Sequence, residues 1–180
     1  MPRRNWGQTP ISFRNRGLSP VFPILFCLLA GAAHAQERTI ELGVETIRYS
    51  LRADPVDGGA LATARHLARA LVAGDIEAAS LLSNAPRHRY GVLHAYRDWV
   101  GAKEFERVYA QYFSPRSKVV AEITIGRHCL LVWRLDGSDR LAGQFYAEVG
   151  DRYLLDDVPS AMRGQLRLLL EAYREGRLDK

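Results

Sequence analysis

Cysteine is nearly absent from this 180-residue chain, which carries only Cys27 and Cys129. Cys27 falls in an N-terminal segment that reads as a leader, so the remaining chain holds one thiol and no internal disulfide is expected. Metal-ligand spacings are lacking as well: there is no HExxH and no paired CxxC, so neither a metal nor a cofactor is expected. No internal repeat, low-complexity tract or long linker interrupts Gln36 to Lys180, which leaves no basis for dividing that stretch into several domains. The longest apolar run, "VFPILFCLLAGAA", falls short of the roughly 18 to 20 residues that a membrane-spanning helix needs.

That run is nevertheless organised. Arg3, Arg4, Arg14 and Arg16 precede it with no acid among them, and Ala33-His34-Ala35 follows before Gln36. A basic region, an apolar region and a small-x-small site in that order predict a signal peptide over residues 1–35, cleaved after Ala35. Arg3-Arg4 resembles the start of a twin-arginine signal, but the rest of that motif is missing, and the general export route is preferred. Leu25 and Phe26 stand where a lipidated Cys27 would need small residues, so a lipoprotein is not expected. The predicted location is therefore periplasmic or secreted, without stable membrane insertion after cleavage.

The leader also changes the meaning of the charge. It holds four of the 25 basic residues and none of the 20 acidic ones, so the rest of the chain carries 21 basic against 20 acidic. A nearly balanced domain gives no electrostatic argument for nucleic acid, and none is expected as a partner. The stretch from Gln36 to Lys180 has the usual size of one globular domain and can bury a core without cross-links.

Hydrophobic spacing then divides that domain. "RTIELGVETIRYSL" alternates apolar and polar residues, with a slip in parity between Val44 and Ile47; it predicts two short strands, or one bulged strand, at a sheet edge. From Ala60 to Ala73 the apolar residues recur at helical spacing, and Gly74-Asp75 supplies a helix stop and then an N-cap for "IEAASLLS". Asn84 and Pro86 start a helix to about Val100, and Gly101 separates it from "AKEFERVYAQYF". The aromatic residues Tyr96, Trp99, Tyr109, Tyr112 and Phe113 on these helices are expected in the core. The period then changes to two. "KVVAEITI", "HCLLVWRL", "RLAGQFYAEV" and "RYLLDDV" predict four strands in an antiparallel meander, and Ser160 caps a last amphipathic helix. The fold class is α+β, with helices on one face of a curved antiparallel sheet of four strands or more and an added C-terminal helix.

Two stretches in this layout, "ALVAGDIEAASLLS" and the closing strand "RYLLDDV", resemble the nuclear-transport-factor-two-like group of cystatin-like folds, over about Ala60 to Val158. The N-terminal strands and the C-terminal helix depart from that group's pattern. What the resemblance implies is a cone with a pocket between helices and sheet. It implies no particular chemistry, because such cones serve enzymes, binding modules and interaction domains alike.

Candidate site residues follow from counting register. If Gly126-Arg127 and Gly150-Asp151 are two-residue hairpin loops, Ile125 opposes His128 and Val149 opposes Arg152, and with the four-residue link Asp136 to Asp139 Leu135 opposes Arg140. One face then holds Val119, Ala121, Ile123, Ile125, His128, Leu130, Val132, Leu141, Gly143, Phe145, Ala147, Leu154, Asp156 and Val158. Being almost wholly apolar, it is expected under the helices, with Leu130 and Phe145 lining the pocket. The opposite face carries Cys129, Leu131, Trp133 and Leu155, an apolar strip expected under the C-terminal helix or a second subunit. His128 and Cys129 are adjacent in sequence and therefore point apart, so Cys129 reads as an inert buried thiol. His128 and Asp156 are the polar exceptions on the apolar face and the candidate acid/base pair. Arg87, Tyr90, His94 and Arg97 form a basic, aromatic helix stripe suited to an acidic partner or an anionic envelope component. The leading expectation is a non-catalytic binding or interaction domain, inhibitor-like or immunity-like, engaging a small molecule or an envelope protein. The alternatives are a small isomerase, dehydratase or hydrolase using Asp156 and His128, and a structural homodimer.

Overall fold

The computed structural model describes residues 36–178 except Asp54 and Val56, and the expected leader lies outside these residues. In chain order the elements are β1 (Gln36–Leu42), β2 (Glu45–Arg52), α1 (Gly59–Val72), α2 (Ile76–Ser80), α3 (Pro86–Val100) and α4 (Ala102–Ala110). A 3-10 turn (Gln111–Phe113) leads into β3 (Lys118–Ile125), β4 (His128–Arg134), β5 (Ala142–Val149), β6 (Arg152–Leu155) and α5 (Ala161–Arg174). The six strands form one antiparallel sheet in sequence order.

The parity slip near the N-terminus is a hairpin, with Gly43 at φ 65° turning β1 back onto β2. That positive φ suits glycine and strains any residue with a Cβ. Asp75 caps α2 by accepting the Ala78 N–H at 2.9 Å, and Ser160 caps α5 by accepting that of Arg163 at 3.1 Å. The hairpin registers stand as counted, with Ile125 opposite His128 and Val149 opposite Arg152.

Two corrections concern the faces. The N-terminal helices cover the face with Cys129, Leu131, Trp133, Tyr146 and Leu155, packing Leu61, Leu67, Leu71, Leu93 and Phe105 against it. The face expected beneath them, with Ala121, Ile123, Leu130 and Val132, lies instead under α5 (Leu166, Leu169, Leu170) and against Ile47 and Tyr49 of β2. Both faces are apolar enough to be buried, and each fully buried leucine contributes roughly 1.5–3 kcal/mol. A choice between two apolar faces is made by the connections, which alternation does not encode. The second correction is a β-bulge between Val119 and Ala121, where the pairing slips by one residue. It reverses the parity at the start of β3, so Val119 packs with the helix-side core and Val120 with the α5-side core.

The aromatic residues divide too. Tyr96, Tyr109 and Tyr112 pack against the helix-side core, whereas Trp99 is 82% exposed and Phe113 is exposed, against expectation. Leu93, Tyr96 and Val100 recur at i, i+3 and i+7 and form the core-facing stripe of α3, with Leu93 buried and the other two partly so; Trp99 lies off that stripe.

Candidate functional site

β6 stops at Leu155, and the next two residues straddle the sheet. Asp156 turns to the α5 side and Asp157 to the side of α3, as strand alternation requires. Asp156 is 2% exposed. Its Oδ2 lies 3.2 Å from His128 Nδ1, and its Oδ1 accepts the Asn84 Nδ2–H at 2.8 Å. The two polar exceptions on that face therefore meet directly.

Asp157 is held by different donors. Ser83 Oγ donates to its Oδ2 at 2.7 Å and Arg89 Nε donates to the same oxygen at 2.7 Å, while Arg89 Nη2 closes on Oδ1. The Arg89 fork thus takes both carboxylate oxygens. Between the two acids sits Asn84, whose Oδ1 accepts the Asp157 N–H at 2.8 Å.

The backbone completes the join. Leu155 N–H donates to Leu82 O at 2.7 Å, Asn84 N–H donates to Leu155 O at 3.0 Å, and Ser83 forms a parallel bridge with Leu155. The loop between α2 and α3 therefore acts as a short extra strand along β6. Ser83, Asn84, Arg89, His128, Asp156 and Asp157 form one hydrogen-bonded cluster linking the helical layer to both sides of the sheet.

Beyond β6 the outer edge of β5 is uncovered by a strand, and a cleft of about 290 Å³ opens there. Gly143, Gln144, Phe145, Asp156, Asp157 and Arg163 contribute to its wall, and Arg89 and Tyr109 approach from the helices. Phe145 lines this cleft, at the edge of the sheet. Leu130 is fully buried in the core under α5. The Arg163 guanidinium lies 5.8 Å from the Phe145 ring centroid, and its Nε is buried without a hydrogen-bond partner.

The other expected residues separate. Tyr90 and His94 lie with ring centroids 5.9 Å apart and tilted on one side of α3, but His94 Nδ1 is 2.8 Å from Asp98, an acid within the stripe that dilutes its basic character. Arg97 reaches Gly74 O at 3.4 Å, at the far end of α1, and Arg87 is exposed. Cys129 is buried on the face opposite His128, and burial pushes its thiol well above the usual range. Among the described residues no cluster of three or more His, Cys, Asp or Glu has a metal-binding arrangement, and no helix is long and apolar enough to cross a membrane.

Ser83, Asn84 and Arg89 escaped the sequence reading. Their partners lie about 70 positions away; locally, Ser-Asn-x-Pro reads only as the start of a helix, and Arg89 only as a cation on that helix. Comparison with protein-family models, with curated proteins and with solved structures finds no match for this chain.

Proposed function

We propose that this chain is an exported, non-catalytic binding domain for a small molecule or an envelope protein, built as a cystatin-like cone with its helices over one sheet face. One observation carries the reading. Each of the four oxygens of Asp156 and Asp157 has a polar partner within the chain, so the acids best placed for proton transfer serve to join layers. A general base must come within hydrogen-bond reach of the substrate proton, and Asp156 is almost wholly buried. The cleft beside the cluster presents Arg163 and Gln144, groups that bind and orient. The exported location rests on the leader sequence alone.

A second reading, a small isomerase, dehydratase or hydrolase, has one observation in its favour: Asp156 contacts His128 through Nδ1, an arrangement that can leave Nε2 as a base. A single experiment separates the two. The full chain is expressed with its leader, and the recovered protein is passed through an envelope extract and re-isolated for native mass spectrometry. It is then assayed on ester, glycoside and α-proton-exchange substrates. Recovery from the periplasm with Gln36 at the N-terminus, a retained ligand or protein at fixed stoichiometry, and no turnover are expected. Turnover that Asp156→Asn abolishes while the circular dichroism spectrum is unchanged overturns the non-catalytic reading.

A further inference from the structure

A larger cleft, of about 490 Å³, opens on the helix side of the sheet, away from the Asp156 cluster. Leu61 and Ala68 of α1 form one wall, Tyr112 and Phe113 of the 3-10 turn another, and Val119 and Trp133 of the sheet the floor. Three features define what fits there.

The first is charge. Asp57, Arg65, Arg69 and Lys118 are the charged side chains of the lining, and Arg65 pairs with Asp57 at 2.6 Å. Arg69 and Lys118 are exposed and have no acidic partner among the described residues, so the rim carries two uncompensated cations. The second is the floor. Trp133 is 6% exposed, with the Tyr112 ring edge-on to it at 5.2 Å, and this aromatic pair makes the bottom of the cleft apolar. The third is an unmet donor. Trp133 Nε1 is buried and has no hydrogen-bond acceptor among the described residues, although buried indole N–H groups ordinarily find one.

The β-bulge at Val119–Ala121 explains why the site exists. Without it Val119 would point to the α5 side and the cleft would lose that part of its apolar floor.

We propose that this cleft binds an organic monoanion with an apolar body, an alkyl or aryl carboxylate. Its chain lies on Trp133 and Tyr112, and its carboxylate is held at the rim by Arg69 and Lys118. The identification rests on the binding-domain reading above and supplies its ligand class. A cationic or uncharged amphiphile would fill the floor and gain nothing from the rim.

The test uses bromine as a contact quencher of tryptophan. In the full chain carrying Trp6→Phe and Trp99→Phe, Trp133 is the only indole left. Titration with 11-bromoundecanoate is expected to quench it saturably, and 11-bromoundecan-1-ol to bind at least about tenfold more weakly. Adding Arg69→Glu and Lys118→Glu is expected to weaken the acid by at least about tenfold, leave the alcohol unchanged and preserve Tm, because both side chains are exposed. Absence of saturable quenching, or equal affinity for acid and alcohol, overturns the proposal. Either failure leaves retention of another ligand from the extract unaffected, and Asp156-dependent turnover would overturn the binding-domain reading without altering the quenching, so the two failures are distinguishable.

Discussion

Gly143 sits in β5 beneath α5, where the helix comes too close for a side chain. A Cβ at this position would lie 2.5 Å from Leu170 Cδ2 and 3.1 Å from Leu130 Cδ1. Both leucines are buried in the α5-side core, so neither swings freely aside. Gly143→Ala therefore overpacks this contact, with a cost of about 1–3 kcal/mol for inserting a methyl group into a filled core. Against that stands a gain of roughly 0.5–1 kcal/mol, because alanine loses less backbone entropy than glycine in a strand. The net expectation in the wild-type background is a destabilisation of about 1–2 kcal/mol. Leu170→Ala alone is expected to cost about 2–5 kcal/mol through its cavity. In that background the 2.5 Å clash is gone, only the Leu130 contact remains tight, and Gly143→Ala is expected to cost nothing measurable or to stabilise slightly. Urea unfolding followed by tryptophan fluorescence reads the cycle, since Trp133 is buried in the fold and exposed in the unfolded chain. The coupling between the two sites is expected to be at least about 1 kcal/mol. Equal costs for Gly143→Ala in both backgrounds would refute the packing of α5 on β5 described above.

Three further outcomes follow from the same contacts. Arg89→Ala strips Asp157, whose side chain is 6% exposed, of its fork, and is expected to cost about 2–4 kcal/mol in urea unfolding; a loss under 0.5 kcal/mol would mean that the pair does not join the layers. Asp156→Asn keeps an acceptor for Asn84 and is expected to lose less than about 1.5 kcal/mol, whereas Asp156→Ala orphans the Asn84 and His128 partners and is expected to lose about 2–3 kcal/mol; the reverse order in thermal melts would contradict the cluster geometry. In a Cys27→Ala background Cys129 is expected to resist a disulfide reagent in the native chain and to react on unfolding. Burial raises its native pKa, so its thiol stabilises the fold fully below about pH 8.5, where the unfolded thiol is also protonated, and that contribution falls as pH rises further. Between pH 8.5 and 10 the stability of Cys129→Ala is therefore expected to decline less steeply, and an unchanged slope would count against the burial.

The candidate site was legible to different depths. Asp156 and His128 could be brought together from loop lengths alone, because the four-residue link Asp136 to Asp139 and the two-residue Gly150-Asp151 turn set the registers of β4 on β5 and of β5 on β6. The donors that complete the site could not. Asn84 and Ser83 reach Asp156 and Asp157 only because the loop before α3 lies along β6, a long-range docking with no periodic trace. Trp133 as the floor of a cleft was also hidden, since its neighbours Tyr112 and Val119 arrive through a 3-10 turn and a bulge.

By itself the sequence determined most of the elements, their order and the pairing around the β3–β4 and β5–β6 hairpins. These depend on local spacing of apolar residues, on glycine at positive φ and on side-chain caps. Tertiary structure alone decided which sheet face the helices cover, because both faces are apolar and either would satisfy the hydrophobic effect. It also decided that α5 occupies the opposite face, so that Gly143 meets Leu170. The uneven depth of the two readings has one cause: alternation along a strand records that a side chain is buried, and only the paths of the connecting loops determine against what.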